Sequence, residues 1–242
     1  MEEMDKHVYQ VVFSNGYLLI GETEDGPIVV DTGSQASFHE TGRMTFCGML
    51  HEVPRSIMGI SQDTFSRVCG VRVKGLLGMD IMSRYDVWFN LMERDNNPCI
   101  FVYEQDWTGD DIGTETTFAG VPVLRMNVDG NRCKMIFDTG APVSYLSQEL
   151  TRGKSNCGHI RDIAPGFSPE PFETDLFELP YSVDSPWFWH HLPHLVKFGN
   201  LPDSIESVLQ RYGIDGIIGM DLLKDCRIIL HHGKVVMPPQ GI

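Results

Sequence analysis

The chain has 242 residues, 42% of them hydrophobic and 21% charged, enough apolar content for one or two folded domains. A formal net charge of -14 argues against nucleic acid as a partner, because an acidic surface repels a phosphate backbone. No run of 18 or more apolar residues occurs, so no membrane-crossing helix and no membrane partner are expected.

In chain order, residues 1–6 are acidic and polar and lack the basic start and apolar centre of a secretory signal, which predicts a cytoplasmic protein. The apolar run from Tyr17, a turn at Asp25-Gly26 and a second run at residues 28–30 predict a β-hairpin. It leads into Asp31-Thr32-Gly33, followed by Ser34. Residues 43–53 form a candidate hairpin that could close over a site. Ser61 is a helix-start signal, an amphipathic helix follows, and then the apolar strand of Leu76 and Leu77 ends at Gly78. Residues 85–90 read as a further strand from their β-branched and aromatic content.

Residues 104–117, rich in Asp, Gly and Thr, read as a linker between a first half at 1–103 and a second at 118–242. The second half repeats the first. Residues 121–126, a turn at Asp129-Gly130 and residues 133–137 predict a hairpin leading into Asp138-Thr139-Gly140, followed by Ala141. A longer segment separates this motif from its helix and includes a candidate hairpin over 160–179 turning at Pro165-Gly166. Residues 201–223 then lie over 60–82 without a gap, from a helix-start signal at Asp203 to the strand of Ile217 and Ile218 ending at Gly219. Each half is therefore strand-rich with one or two short helices.

Two Asp-Thr-Gly motifs in one polypeptide can set two carboxylates against each other. Repulsion between them lets one ionise while the other keeps its proton. The ionised member of the Asp31/Asp138 pair can deprotonate a water, and the protonated one can donate to a carbonyl oxygen, with neither metal nor cofactor. The pair titrates as a unit. Gly33 and Gly140 permit a tight loop whose amides approach the carboxylates. Thr32 and Thr139 carry hydroxyls able to bond between the loops. Leu76, Leu77, Ile217 and Ile218 pack beneath them, with Gly78 and Gly219 allowing close backbone approach. The Ser34 hydroxyl is expected to bond the outer oxygen of Asp31, which Ala141 cannot do for Asp138. A higher pKa for Asp138 is then expected, with a lower-pH activity profile in Ala141→Ser.

At these residues the chain resembles the aspartic peptidases of the pepsin and retropepsin superfamily. Their pattern, Asp-Thr/Ser-Gly followed by an apolar-apolar-Gly strand, is met at Asp31 with Leu76-Leu77-Gly78 and at Asp138 with Ile217-Ile218-Gly219. The Gly-Met-Asp endings at Asp80 and Asp221 are more similar to bacterial and retroelement retropepsin-like proteins. The resemblance implies a mainly β, acid-protease fold of two six-stranded-type β-barrel lobes with a few short helices and the active site in the interlobe cleft. It implies an aspartic endopeptidase acting on a peptide or protein substrate as a monomer, since both half-sites are present. The alternative is a weakly active or inactive peptide-binding module on the same scaffold.

The remaining features have plainer readings. The six cysteines are scattered without CxxC spacing and read as free, mostly buried thiols. Asp80 and Asp221 read as caps of short helices after the Gly turns. Three histidines within 187–194 read as packing or substrate contact rather than a metal site, and His231-His232 as a strand end.

Overall fold

The structure is a computed structural model that describes residues 6–92, 98–103, 115–116, 120–164, 168–183, 195–224 and 226–236. Strand β1 (Lys6–Ser14) turns at Asn15-Gly16, both at positive φ, into β2 (Tyr17–Ile20). Two left-handed residues in a two-residue loop match the twist of the flanking strands. Next, β3 (Ile28–Val30) pairs antiparallel with β2 and delivers Asp31. It is followed by β4 (Phe38–His39) and the hairpin of β5 (Arg43–Phe46) and β6 (Met49–Glu52). Helix α1 (Gln62–Cys69) starts at Ser61 and buries Phe65 and Cys69. Strand β7 (Gly75–Leu77) then lies parallel to β3, with Leu77 opposite Val30. Helix α2 (Met79–Met82), β8 (Asp86–Asn90) and β9 (Cys99–Tyr103) complete the first half.

The second half begins with β10 (Glu115–Thr116), which lies within the stretch read as a linker and pairs with β11 (Pro122–Val128). The rest of that stretch is outside the described residues. Asp129-Gly130 turns β11 into β12 (Asn131–Phe137), which delivers Asp138. There follow β13 (Ser144–Leu146), α3 (Gln148–Thr151), β14 (Asn156–Ala164), β15 (Ser168–Val183) and β16 (Leu195–Asn200). The turn at Pro165-Gly166 lies outside the described residues. Helix α4 (Asp203–Gln210) has Pro202 at its N-cap, so Asp203 is its first helical residue rather than its cap. Strand β17 (Gly216–Ile218) lies parallel to β12, as β7 does to β3. The chain continues through α5 (Met220–Leu223), β18 (Arg227–His231) and β19 (Lys234–Val236).

The protein is mainly β with a few short helices. Among the described residues one sheet has nine strands in the order β19-β18-β8-β9-β1-β2-β3-β7-β4. A second has eight in the order β10-β11-β12-β17-β13-β16-β15-β14, with β11 also pairing β15. The sheets do not follow the division of the sequence. Strands β18 and β19, from the second half, complete the first sheet through β8, where Ile229 faces Trp88 in register. Ile228 and Leu230 are buried by that pairing. One apolar cluster runs through both halves, joining Val30, Leu77 and Phe89 to Phe137, Ile218 and Leu230. The Phe89 and Phe137 rings meet edge to face with centroids 6.2 Å apart. Smaller clusters sit under α1 and α4. All six cysteines are free, and every one but Cys157 is buried. No helix among the described residues is long and apolar enough to cross a membrane.

Candidate active site

Each Asp-Thr-Gly loop leaves a strand whose ladder is parallel to the apolar strand of its own half. The Asp31 amide donates to Leu77 O at 3.0 Å, and the Asp138 amide donates to Ile218 O at 3.0 Å. The two loops are therefore held by the same bond in each half, and β3 and β12 end with their carboxylates directed at a common centre.

The threonines tie the loops to each other. The Thr32 hydroxyl donates to Phe137 O at 2.8 Å and accepts the Thr139 amide at 2.9 Å. In return the Thr139 hydroxyl donates to Val30 O at 2.8 Å and accepts the Thr32 amide at 3.1 Å. Both threonines are fully buried. All four groups are satisfied only when the loops are in this register, because an orphaned buried amide or hydroxyl costs about 1–3 kcal/mol.

The glycines admit the opposite carboxylate. A Cβ at Gly33 would lie 2.3 Å from Asp138 Cγ, and a Cβ at Gly140 would lie 2.3 Å from Asp31 Cγ. No other residue allows this crossing. Beneath the loops, a Cβ at Gly219 would lie 2.2 Å from Val143 O, and one at Gly78 would lie 2.7 Å from Ala36 O. Both positions need a bare backbone because the loop that follows each Asp-Thr-Gly motif passes directly over them.

Asp31 and Asp138 are within hydrogen-bonding reach of each other. Burial holds the Asp31 carboxyl well above the ordinary aspartate range, and the adjacent charge of Asp138 pushes it further. Asp138 is also raised by burial, but amides of Gly140, Gly33 and Ala141 and a hydrogen bond from Asp31 oppose the rise. The Gly140 amide reaches Asp138 Oδ1 at 2.8 Å. Both carboxyls are thus raised by burial, and the pair shares its proton and titrates as a unit.

The hydrogen bond expected from the Ser34 hydroxyl to Asp31 is not formed. The Ser34 hydroxyl donates to Ala36 O at 2.9 Å, closing a local turn, and is not spent on Asp31. Backbone amides of both loops stabilise the carboxylates instead, so a hydroxyl at position 141 has no counterpart to restore. Asp80 and Asp221 also differ from expectation. Gly78 and Gly219 occupy the N-cap positions, and the aspartates lie inside the first turn of α2 and α5. They act with two serines that sequence reasoning passed over. Ser37 Oγ donates to Asp80 Oδ1 at 2.6 Å and accepts the Gly78 amide at 2.8 Å. Ser144 Oγ donates to Asp221 Oδ1 at 2.7 Å and accepts the Gly219 amide at 3.0 Å. The signal was available: each serine lies six residues after its Asp-Thr-Gly aspartate.

Both carboxylates face a cavity of about 480 Å³. Phe38, Ile57 and Met58 contribute to one bank, and Tyr145, Ile163 and Phe172 to the other. None of the described lining residues is Lys, Arg or His. Of the two hairpins considered as covers, β5–β6 contributes no lining residue, whereas β14 contributes Asp162 and Ile163. The reason is Tyr9: its ring stacks on Phe46 at 5.2 Å and its hydroxyl accepts the Cys47 amide at 2.8 Å, drawing β5–β6 onto β1.

The histidines at 187–194 lie outside the described residues. Among the described residues, ligand atoms of Asp86, His231 and His232 fall within 4.8 Å of one another. His231 Nδ1 lies 2.6 Å from Asp86 Oδ1, a hydrogen-bonding contact across β8 and β18, and none of the three lines the cavity. Strand β18 ends at His231, with His232 in the turn that follows.

No protein-family model matches the chain, and no curated protein matches it. Among solved structures it is similar to the crystal structure of Basic 7S globulin from soybean, at 9% sequence identity and a TM-score of 0.46, over 94% of this chain and 92% of that one.

Proposed function

We propose that the protein is a single-chain aspartic endopeptidase of the acid-protease type, with Asp31 and Asp138 as its catalytic pair. The observation that carries this is the exchange of threonine hydroxyls between the loops, which fixes two half-buried carboxylates within hydrogen-bonding reach in an apolar cleft. The ladder of the second half returns on itself through β11-β12-β17-β13-β16-β15, in keeping with a six-stranded barrel lobe. That of the first half opens instead onto β18 and β19.

The chemistry follows from the unequal titration of the pair. The ionised carboxylate removes a proton from a water lying between the two aspartates, and the water oxygen adds to the scissile carbonyl carbon. The protonated carboxyl gives its proton to the carbonyl oxygen, forming a neutral tetrahedral diol. The proton taken from water then passes to the departing nitrogen as the carbon–nitrogen bond breaks, and a diol proton returns to the other carboxylate. An acid, an amine and the starting protonation state result. Both half-sites come from one chain, so a second copy is not needed. A peptide would lie extended between the apolar banks, held by backbone hydrogen bonds with side chains in alternate pockets.

The test is digestion of a mixed peptide library across pH 3–8, with and without pepstatin. Pepstatin-sensitive cleavage is expected, and Asp31→Asn or Asp138→Asn should each lower it by at least about 10²–10⁴-fold while leaving the circular dichroism spectrum unchanged. Full activity in either variant overturns the assignment. One observation favours a second reading as a peptide-binding module: β5–β6 packs on β1 instead of over the aspartates. Saturable peptide binding without cleavage in the same experiment would select it.

A further inference from the structure

Asp162 is a third acid in the cavity, and among the described residues no basic side chain lines the cavity with it. Strand β14 breaks register with β15 between Asp162 and Ala164. That irregularity turns two successive side chains, Asp162 and Ile163, to the same cavity, which regular alternation would forbid.

The carboxylate accepts two hydrogen bonds within the second half, and a phenol of the first half lies near it. The Tyr145 hydroxyl donates to Oδ2, and the Ile163 amide donates to Oδ1 at 2.7 Å. The Tyr17 hydroxyl, from the first half, faces the same carboxylate and favours its charge. Both tyrosines are buried at 4% exposure, and the Tyr145 hydroxyl finds its acceptor in this carboxylate. Each also stands one pairing from the catalytic strands. Tyr17 opens β2, which pairs with β3 leading to Asp31. Tyr145 lies opposite Ile217, on the strand whose end receives the Asp138 amide. The Phe172 ring packs on Tyr145 at 6.0 Å.

We propose that Asp162 is a positioning residue that clamps β14 to both halves and so sets the distance of the Ile163–Phe172 wall from the aspartate pair. The wall would receive an apolar side chain of the substrate, and this part rests on the hydrolase reading. A carboxylate suits the task because its oxygens accept the local amide and the Tyr145 phenol together, where an apolar residue would leave the Tyr145 hydroxyl without its acceptor.

The experiment compares wild type, Asp162→Ala, Asp162→Asn and Tyr17→Phe. It measures kcat and KM on the best-cut library peptide, and hydrogen–deuterium exchange over residues 156–163. In Asp162→Ala we expect KM to rise about tenfold with kcat changed less than about threefold, and exchange over 156–163 to accelerate. Asp162→Asn, which keeps an acceptor, should fall between it and wild type. Tyr17→Phe, which removes a single hydroxyl without a cavity, should move in the same direction and guards against a folding defect in the alanine variant. Unchanged KM and exchange in Asp162→Ala overturn the proposal, and so does a loss confined to kcat. If wild type cuts no peptide, the hydrolase reading fails, and the exchange measurement still decides whether Asp162 holds the strand.

Discussion

Thr32 and Thr139 do more for the site than their exposure or size suggests. Each side chain uses both its donor and its acceptor on the opposite loop, so replacing either one strands two buried groups. For Thr139→Val, the Thr32 amide loses its acceptor and Val30 O its donor. The expected cost is about 1–3 kcal/mol for each group, read as a lower denaturation midpoint. Thr139→Ser retains the hydroxyl and should recover most of the loss. If valine and serine behave alike, the methyl group and not the hydroxyl is what matters. Gly33→Ala belongs at the same scale, because its Cβ would have to displace the Asp138 carboxylate.

At the scale of elements, the sheets bind the halves more closely than the repeat implies. Strand β18 belongs to the second half in sequence but completes the sheet of the first, and β19 covers it in turn. Ile228, Ile229, Leu230, Val235 and Val236 are all buried there. At about 1.5–3 kcal/mol per buried side chain, their removal forfeits on the order of 10 kcal/mol, comparable with the whole stability of a small protein. A chain ending at residue 226 should therefore fail to give a soluble folded monomer in gel filtration. The isolated segment 1–103 should fail for the same reason, since β8 would present an uncovered edge. A well-folded product from either would show that β18 is dispensable.

For the molecule as a whole, the buried acids give stability a definite dependence on pH. Burial raises Asp31, Asp138 and Asp162, and it raises Asp221 to about 6. An aspartate in an unfolded chain titrates near 4, so the folded state holds protons that the unfolded state has released. The resulting stabilisation is complete below about 4 and is lost as pH rises through the folded values, through about 6 for Asp221. The partly exposed Lys74–Glu40 pair, which holds Glu40 low, works in the opposite sense, but pairs in contact with solvent contribute little. Relief of the acidic net charge on acidification acts in the same direction as the buried aspartates. The thermal midpoint should be higher at pH 5 than at pH 7.5. Asp221→Asn, which still accepts from Ser144, should gain on the order of 2 kcal/mol at pH 7.5 and flatten the slope. A midpoint that falls on acidification to pH 5 would contradict this account.

The duplicated Asp-Thr-Gly and apolar-apolar-Gly motifs were legible in the residues alone, because they require special backbone: a loop that admits a neighbour's carboxylate and a strand that passes under another. The strand-rich character, the turns at Asp129-Gly130 and the helix start at Ser61 were legible too, since each depends on residues adjacent in the chain. Tertiary structure alone decided the rest. The Ser34 hydroxyl turned to Ala36 because a local acceptor was nearer than the carboxylate. Tyr9 drew β5–β6 away from the cleft, and Asp162 met Tyr145 only after their strands had been brought into one sheet. Strand β18 crossed to the first sheet because β8 offered an edge and an apolar face to bury. Those contacts join residues up to 145 positions apart, as His231 and Asp86 do. Local sequence carries no record of which of several chemically suitable partners the packed chain will bring within reach.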